Sequence, residues 1–420
     1  MRNVSLSAQG NSRQINSFAF RSGVLCLLGF AALNAWMIWQ VHDSILQGYG
    51  DFASFYTAGR IVQRGQSPRL YDPALQWKVQ QEFASTVKIR LGPLPYVRPP
   101  FEALLFLPLA YLTYPTACVV WMALKIVLFL AIPFLLPRED HKGEAISAHA
   151  WEGLLCLAFF PVAFDLLQGQ DSVLLLLILV LALRLLLRGA DVQCGVVLAL
   201  GLFKFHLIIP LIAIFILRKK SSLVVGFLAT ASFLFVVSLM LVHWAGILAY
   251  PRYLWGLNQV SALGMVKPQS MPNIRGLLTM FLGNGPPPPV AQWFLGGMAI
   301  TGVMVAARSW RSNDRRFISA AFCFSIVVIL ATSYYAYSYD LTLLLMPLLL
   351  LGRTFLEGAE ITGWPRTLFI AAAAVLLCTP FSWILALRVG QFRLMGLVLL
   401  ALAVSISALL KSWEGCPGEF

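Results

Sequence analysis

The chain has 420 residues, of which 59% are hydrophobic and only 12% charged, with a formal net charge of +13. A soluble domain carries about 25% charged residues, so this composition excludes an ordinary soluble enzyme. The basic excess lies in short stretches between apolar runs, the positive-inside pattern of a membrane protein, so the charge does not point to a nucleic-acid partner.

Residues 1–20 are polar, with Arg2 and Arg13 and no acid, and Arg21 opens an apolar run to Val41. That run is long for the core of a signal peptide and no clear A-x-A site follows. It reads as an uncleaved first helix behind a cytoplasmic tail, 1–20. A mixed-charge loop of about 60 residues follows, 42–100, which contains Gly50–Arg60 (GDFASFYTAGR) and ends in Arg98-Pro99-Pro100. Apolar runs then cover 101–136, 150–166, 172–188, 193–217, 222–242, 290–307, 317–333, 340–352, 366–386 and 392–411. They are continuous rather than alternating, which excludes a barrel. The expectation is one all-α polytopic membrane unit over 1–420, with about 10 to 12 transmembrane helices.

The basic clusters Arg218-Lys219-Lys220 and Arg308–Arg316 set the orientation. Both are expected in the cytoplasm, which makes the broken, proline-rich segment 243–289 external, with Tyr334–Asp340 beside it. The middle has two readings. If 101–136 is two helices, Arg184 and Arg188 fall outside, against the charge rule. If it is one crossing preceded by a partly embedded piece, they fall inside, and 193–217 becomes a re-entrant hairpin with its tip near Lys204-Phe205-His206. Each arm of about 12 residues would reach roughly 18 Å, too short to span. The second reading is preferred. It gathers 42–100, Gln168–Asp171, Lys204, 243–289 and Tyr334–Asp340 on one side.

Several polar residues need a reason to be where they are. Asp51 precedes Phe52–Gln63, which has helical spacing, so Asp51 reads as an N-cap, as a catalytic base, or as both. Phe52, Phe55, Tyr56 and Ile61-Val62 suggest an amphipathic helix lying along the interface. Arg60 and Arg64, one turn apart, could meet an anionic headgroup or face water. Lys204 and His206 interrupt the apolar stretch GLFKFHLIIP. An intramembrane charge marks function unless the side chain snorkels to the interface. Arg98 and Arg275 are further candidate anion ligands. Gln170, Asn273, Tyr339 and Asp340 are candidate pocket residues, with Tyr339-Asp340 alternatively a capped helix start. The seven cysteines have no CxxC or zinc spacing, and no phosphate-binding, dinucleotide, zinc-protease or serine-hydrolase motif occurs. No metal or cofactor is expected.

The blocks GDFASFYTAGRIVQRGQSPRLYD, RPPFEALLFLPLAYL, LQGQDSVLLLLILVLAL and FKFHLIIPLIAIFIL, in this order, resemble glycosyltransferase family 87 of the GT-C superfamily. The resemblance implies transfer of a sugar, mannose being the family-based choice, from a polyprenyl-phosphate donor to a glycolipid or glycan at the external face of the bacterial inner membrane. The anomeric centre is inverted and no nucleotide is used. It also implies that an acid in the first external loop is the base, and Asp51 matches. Many GT-C enzymes carry two adjacent acids there. Here Asp51 stands between Gly50 and Phe52, the other acids of the loop region include Asp43 and Asp72, and a single carboxylate is a poor cation cage. Arg60, Lys204, His206 and Arg98 are then the expected ligands of the donor phosphate, with Tyr56, Gln170, Asn273, Arg275, Tyr339 and Asp340 around the substrates. Two alternatives remain at this point: a transporter or flippase of a lipid-linked or anionic substrate, and a structural membrane subunit in which Asp51 is dispensable.

Overall fold

The structure, a computed structural model, describes residues 3–85, 93–137, 145–259, 267–283, 287–357, 363–389 and 391–414. Arg2, Pro286, Cys416 and part of the expected external segment 243–289 lie outside the described residues. Among those described, every regular element is helical. In chain order they are α1 (Asn3–Gln40), α2 (His42–Leu46), α3 (Phe52–Gln63), α4 (Pro73–Phe83), α5 (Ala103–Phe106), α6 (Tyr114–Leu135), α7 (Ala145–Ala158), α8 (Phe160–Gln168), α9 (Ser172–Leu187) and α10 (Asp191–Leu200). There follow α11 (Phe205–Leu217), α12 (Ser221–Gln259), α13 (Ile274–Leu282), α14 (Pro289–Arg308), α15 (Arg315–Thr332), α16 (Leu345–Glu357), α17 (Trp364–Leu377), α18 (Thr379–Trp383) and α19 (Met395–Glu414).

Among the described residues, seven stretches are long and apolar enough to cross a membrane, within α1, α6, α10–α11, α12, α14, α15 and α19, and three shorter apolar helices join them. The chain is an integral membrane protein. The stretch 191–217 meets the length criterion only when its two helices are laid end to end, and the fold does not lay them so. Asp191 Oδ2 and Lys220 Nζ are 3.2 Å apart, which brings the start of α10 to the end of α11. The pair is a re-entrant hairpin whose tip is the tight turn Gly201–Lys204. Arms of 10 and 13 residues rise about 15 and 20 Å, short of a roughly 30 Å core. Glycine makes the hairpin's seat possible: a Cβ on Gly195 would fall 1.9 Å from the Leu223 carbonyl oxygen, and one on Gly226 would fall 2.2 Å from that of Val192. The backbones of α10 and α12 therefore touch directly.

The run 101–136 divides into short turns around Pro108 and the single long helix α6. This agrees with the reading of one crossing preceded by a shorter piece. Arg184 donates to the Leu135 carbonyl, joining the end of α9 to the end of α6. Arg311 pairs with Glu414 at 2.8 Å. Together with Asp191–Lys220, these contacts collect the basic stretches at one end of the helix bundle. The opposite end gathers the first loop, Gln168–Asp171, the hairpin tip, 267–282, 333–340 and Phe392–Arg393. Representative ties there are Asn273 Nδ2 to the Ser333 carbonyl, and the Phe392 and Arg393 amides to the Gln269 carbonyl.

The first loop departs from expectation. Helix α3 is enclosed by protein instead of presenting an open apolar face. Phe52 to Gly59 and Ile61 are all buried. Phe52 stacks on Trp121, Phe55 stacks on Phe106, and Tyr56 meets Phe83 and Tyr114 edge-on. The aromatic side chains that gave the segment its amphipathic appearance are consumed by a core of their own, formed with α5 and α6. Beyond a break at His243, α12 continues over this loop, with Tyr250 Oη donating to the Val97 carbonyl and Tyr253 Oη to Gln76.

Candidate active site

The site begins with two aspartates at helix starts whose carboxylates do not cap. Asp51 opens α3 and Asp171 opens α9, and neither makes a side-chain capping bond. Asp72, Asn273 and Asp314, by contrast, all accept from the backbone amides of the helices they open. An aspartate in a cap position that forgoes the cap has been diverted to another partner. For Asp51 that partner is Gln170, whose Nε2 donates to Oδ2 at 2.6 Å. The expectation of a simple cap at Asp51 is corrected accordingly.

Gln170 stands on the three-residue link between α8 and α9. Gly169 makes that link, at φ +69°, and a Cβ there would strike Phe52 Cβ at 2.5 Å. Glycine alone permits both the left-handed backbone and the close approach of α3. The Gln170 amide is held at both ends, because Arg98 Nη2 donates to its Oε1 at 3.1 Å while its Nε2 serves Asp51. The same Arg98 nitrogen reaches Asp171 Oδ1 at 2.9 Å. Lys204, at the hairpin tip, completes the cluster: Nζ lies 2.9 Å from Asp171 Oδ1, 2.6 Å from Asp340 Oδ1 and 2.5 Å from Ser172 Oγ. Asp340 in turn accepts the Tyr337 amide on Oδ2. A continuous polar chain thus runs Asp51, Gln170, Arg98, Asp171, Lys204, Asp340. Its inner members are buried, while Asp51 is partly exposed.

This geometry revises the roles expected for several residues. Lys204 is fully buried, and its ammonium has three protons and three oxygen partners. It neither snorkels nor keeps a donor free for a phosphate. Arg60 sits nine residues along α3 from Asp51, about 13 Å at 1.5 Å per residue, and bonds to Gln63 and the Ala110 carbonyl. The structure does not bring it to the cluster. Tyr56 belongs to the aromatic core and donates to the Leu112 carbonyl. Asn273 caps α13 and ties it to Ser333. His206 stands two residues beyond Lys204, with a buried Nε2 that lacks a hydrogen-bond partner. Arg275 donates to the Tyr334 carbonyl and lies 3.9 Å over its ring. Tyr339 stacks with Tyr337, and the Lys204 ammonium lies 5.1 Å from the Tyr339 ring. Both tyrosines are partly exposed and within electrostatic reach of Asp51. Asp43 pairs with His42, and Asp72 with Arg69 while it caps α4, so neither supplies a second acid beside Asp51.

Sequence reading missed Glu102, Asp171, Ser172 and the buried pair Lys125–Asp165. Lys125 Nζ meets Asp165 Oδ2 at 3.1 Å and its carbonyl at 2.7 Å. Asp165 Oδ1 accepts the Ser172 amide, which braces the link carrying Gln170. The signal that singled out Lys204, a charge inside an apolar run, was equally present at Lys125 and Asp165. At Asp171, burial raises the pKa, but Arg98 and Lys204 outweigh it and hold the carboxyl below the usual range. Among the described residues, no three His, Cys, Asp or Glu side chains are grouped to hold a metal ion.

The arrangement can accept a proton at a partly exposed, oriented carboxylate, with the Arg98 guanidinium and an aromatic wall close by. No curated protein and no solved structure matches the chain. A family model does. It covers Arg98, Glu102, Gln170, Asp171, Lys204, His206, Asn273 and Arg275, and leaves Asp51 and Asp340 outside. With residues 96–333 matched, more than half of its length, the chain belongs to glycosyltransferase family 87.

Proposed function

We propose that this glycosyltransferase moves a sugar, mannose by family analogy, from a polyprenyl-phosphate donor to a glycolipid or glycan acceptor. In this reading Asp51 is the general base and transfer takes place at the external face of the bacterial inner membrane, with the N-terminus in the cytoplasm. The observation that carries the reading is the Gln170-to-Asp51 hydrogen bond at a partly exposed carboxylate. Gln170 can turn only its donor toward Asp51 while Arg98 occupies its oxygen, so Asp51 is kept as an acceptor, the form a base requires. The leaving group is a phosphodiester and needs no protonation. A nearby cation suffices to receive its charge, and Arg98, with Arg275 beyond the tyrosines, takes the place first given to Arg60 and Lys204. Tyr337 and Tyr339 offer ring faces to the sugar. One carboxylate on the acceptor side and a departing phosphate on the other is the geometry of inversion. The collection of basic stretches at the far end of the bundle supports the external placement through the positive-inside rule.

The test uses purified protein with radiolabelled polyprenyl-phosphate mannose and a membrane lipid extract. Asp51→Asn is expected to lower transfer by about 10²–10⁴-fold, the usual scale for loss of a general base, with the melting temperature unchanged. Turnover within about tenfold of the parent protein would remove Asp51 from that role.

A further inference from the structure

The buried cluster holds more acids than bases. Glu102, Asp171 and Asp340 are at most 3% exposed, and the cations among them are Arg98 and Lys204. Three ionised carboxylates against two cations would leave one buried negative charge without compensation, a state that costs several kcal/mol. Charging His206 would not mend this, since its buried Nε2 would then be a donor with nothing to receive it.

The geometry shows which acid gives way. Asp171 Oδ1 receives both Arg98 and Lys204 at 2.9 Å. Asp340 receives Lys204 at 2.6 Å and a backbone amide at 2.9 Å. Glu102 has no comparable contact: its nearest cation atom is Arg98 Nε at 3.9 Å, and its nearest hydroxyl is Tyr96 Oη at 3.4 Å. Counted as carboxylates, Glu102 Oε1 and Asp171 Oδ2 are both buried acceptors without a donor. Both side chains flank Arg98, Asp171 at Nη2 and Glu102 at Nε, and one proton held between these two orphan atoms would satisfy both.

We propose that Glu102 stands as the neutral acid and donates its proton to Asp171, and that this balanced pair fixes the Arg98–Gln170 relay which orients Asp51. With Oδ2 engaged by Glu102, Asp171 must present Oδ1 to Arg98 and Lys204. Arg98 then holds Gln170 Oε1, and Gln170 Nε2 is left for Asp51. Glu102 is thus a positioning residue three partners removed from the reacting atoms. Burial, and after it the charge of Asp171, push its pKa well above the usual range, against the opposing pull of Arg98 and Lys204. Tyr71, Tyr96 and Tyr250 also face it and are themselves neutral at physiological pH.

The positioning role rests on the assignment of Asp51, whereas the protonation state does not, and the measurements separate them. Infrared spectra of the full-length protein in detergent should contain a protonated-carboxyl carbonyl band that shifts in D2O, persists in Asp51→Asn and disappears in Glu102→Gln. Thermal unfolding against pH gives the second readout. A raised native pKa contributes stability that is complete below the unfolded value of about 4.3 and is lost as pH rises toward the native one. Glutamine cannot titrate, so the melting temperature of Glu102→Gln minus that of the parent protein should increase with pH above about 4.3. A spectrum unchanged by Glu102→Gln, or a melting-temperature difference that stays constant with pH, overturns the proposal. Full transfer by Asp51→Asn would instead strike the assignment of Asp51 and leave the infrared result standing.

Discussion

Two buried lysines separate structure from site. Lys125 and Lys204 both interrupt apolar helical runs, both are fully buried, and both meet aspartate. The Lys125 circuit closes on itself: one carboxylate, one carbonyl and the Ser172 amide join α6, α8 and α9. The Lys204 circuit stays open at one end, passing through Asp171 and Arg98 to Gln170 and the partly exposed Asp51. Ser172 is where they touch, its amide serving Asp165 and its hydroxyl serving Lys204 and Asp340. A buried ion pair by itself therefore says little about function. What distinguishes the second is that its hydrogen bonds lead out to an acid that a substrate can reach.

The sharpest way to break this comparison is to remove each cation in turn. Lys125→Met strands Asp165, and Lys204→Met strands Asp340 while leaving Asp171 with Arg98 alone, so each is expected to cost about 3–5 kcal/mol in unfolding experiments in detergent. Only Lys204→Met should also depress transfer per folded molecule. Equal losses of specific activity in the two variants would erase the distinction.

A smaller effect is expected one step from the open end. Gln170→Ala removes a hydrogen bond to a charged group, worth about 1.5–3 kcal/mol, or roughly 10–150-fold in kcat. Unfolding should barely change, because the amide braces no backbone. Gln170→Glu should be worse than alanine, since it places a second carboxylate beside Asp51 and offers no donor. A Gln170→Ala enzyme that turns over normally would show that Asp51 holds its position unaided.

The smallest effect belongs to a cation outside both circuits. Arg60→Ala loses bonds to Gln63 and the Ala110 carbonyl and should cost about 1 kcal/mol of stability. The KM for the lipid-phosphate donor should not move, whereas Arg98→Lys should raise it, because lysine keeps the charge but loses the planar guanidinium whose Nη2 serves Gln170 and Asp171. A donor KM that responds to Arg60 and not to Arg98 would return the phosphate to the far end of α3.

Much of this was legible in residue order. The long continuous apolar runs required membrane helices, because lipid offers no partners to an unpaired backbone. The hairpin was legible too: 193–217 is too short for two crossings, and only a turn back kept Arg184 and Arg188 on the basic side. Lys204 stood out because charge is expensive inside an apolar run, Asp51 by its place before a segment of helical spacing, and Arg98 as a cation closing the first loop. Partnership was not legible. Lys204 joins Asp171 and Asp340, 33 and 136 positions away, and nothing local favours those acids over Asp165. Likewise, the aromatic spacing of α3 suits a membrane surface as well as a protein core, and only the arrival of Phe106, Tyr114 and Trp121 made it core. The sequence by itself determined that the backbone would be helical and where charge would be anomalous, since both follow from solvation of single residues and short segments. Tertiary structure decided which anomalies neutralise one another and which one is left partly exposed. Electrostatic compensation acts through space over a few ångströms, and those distances exist only once the hairpin tip, the Gly169 link and the first loop are packed at the same end.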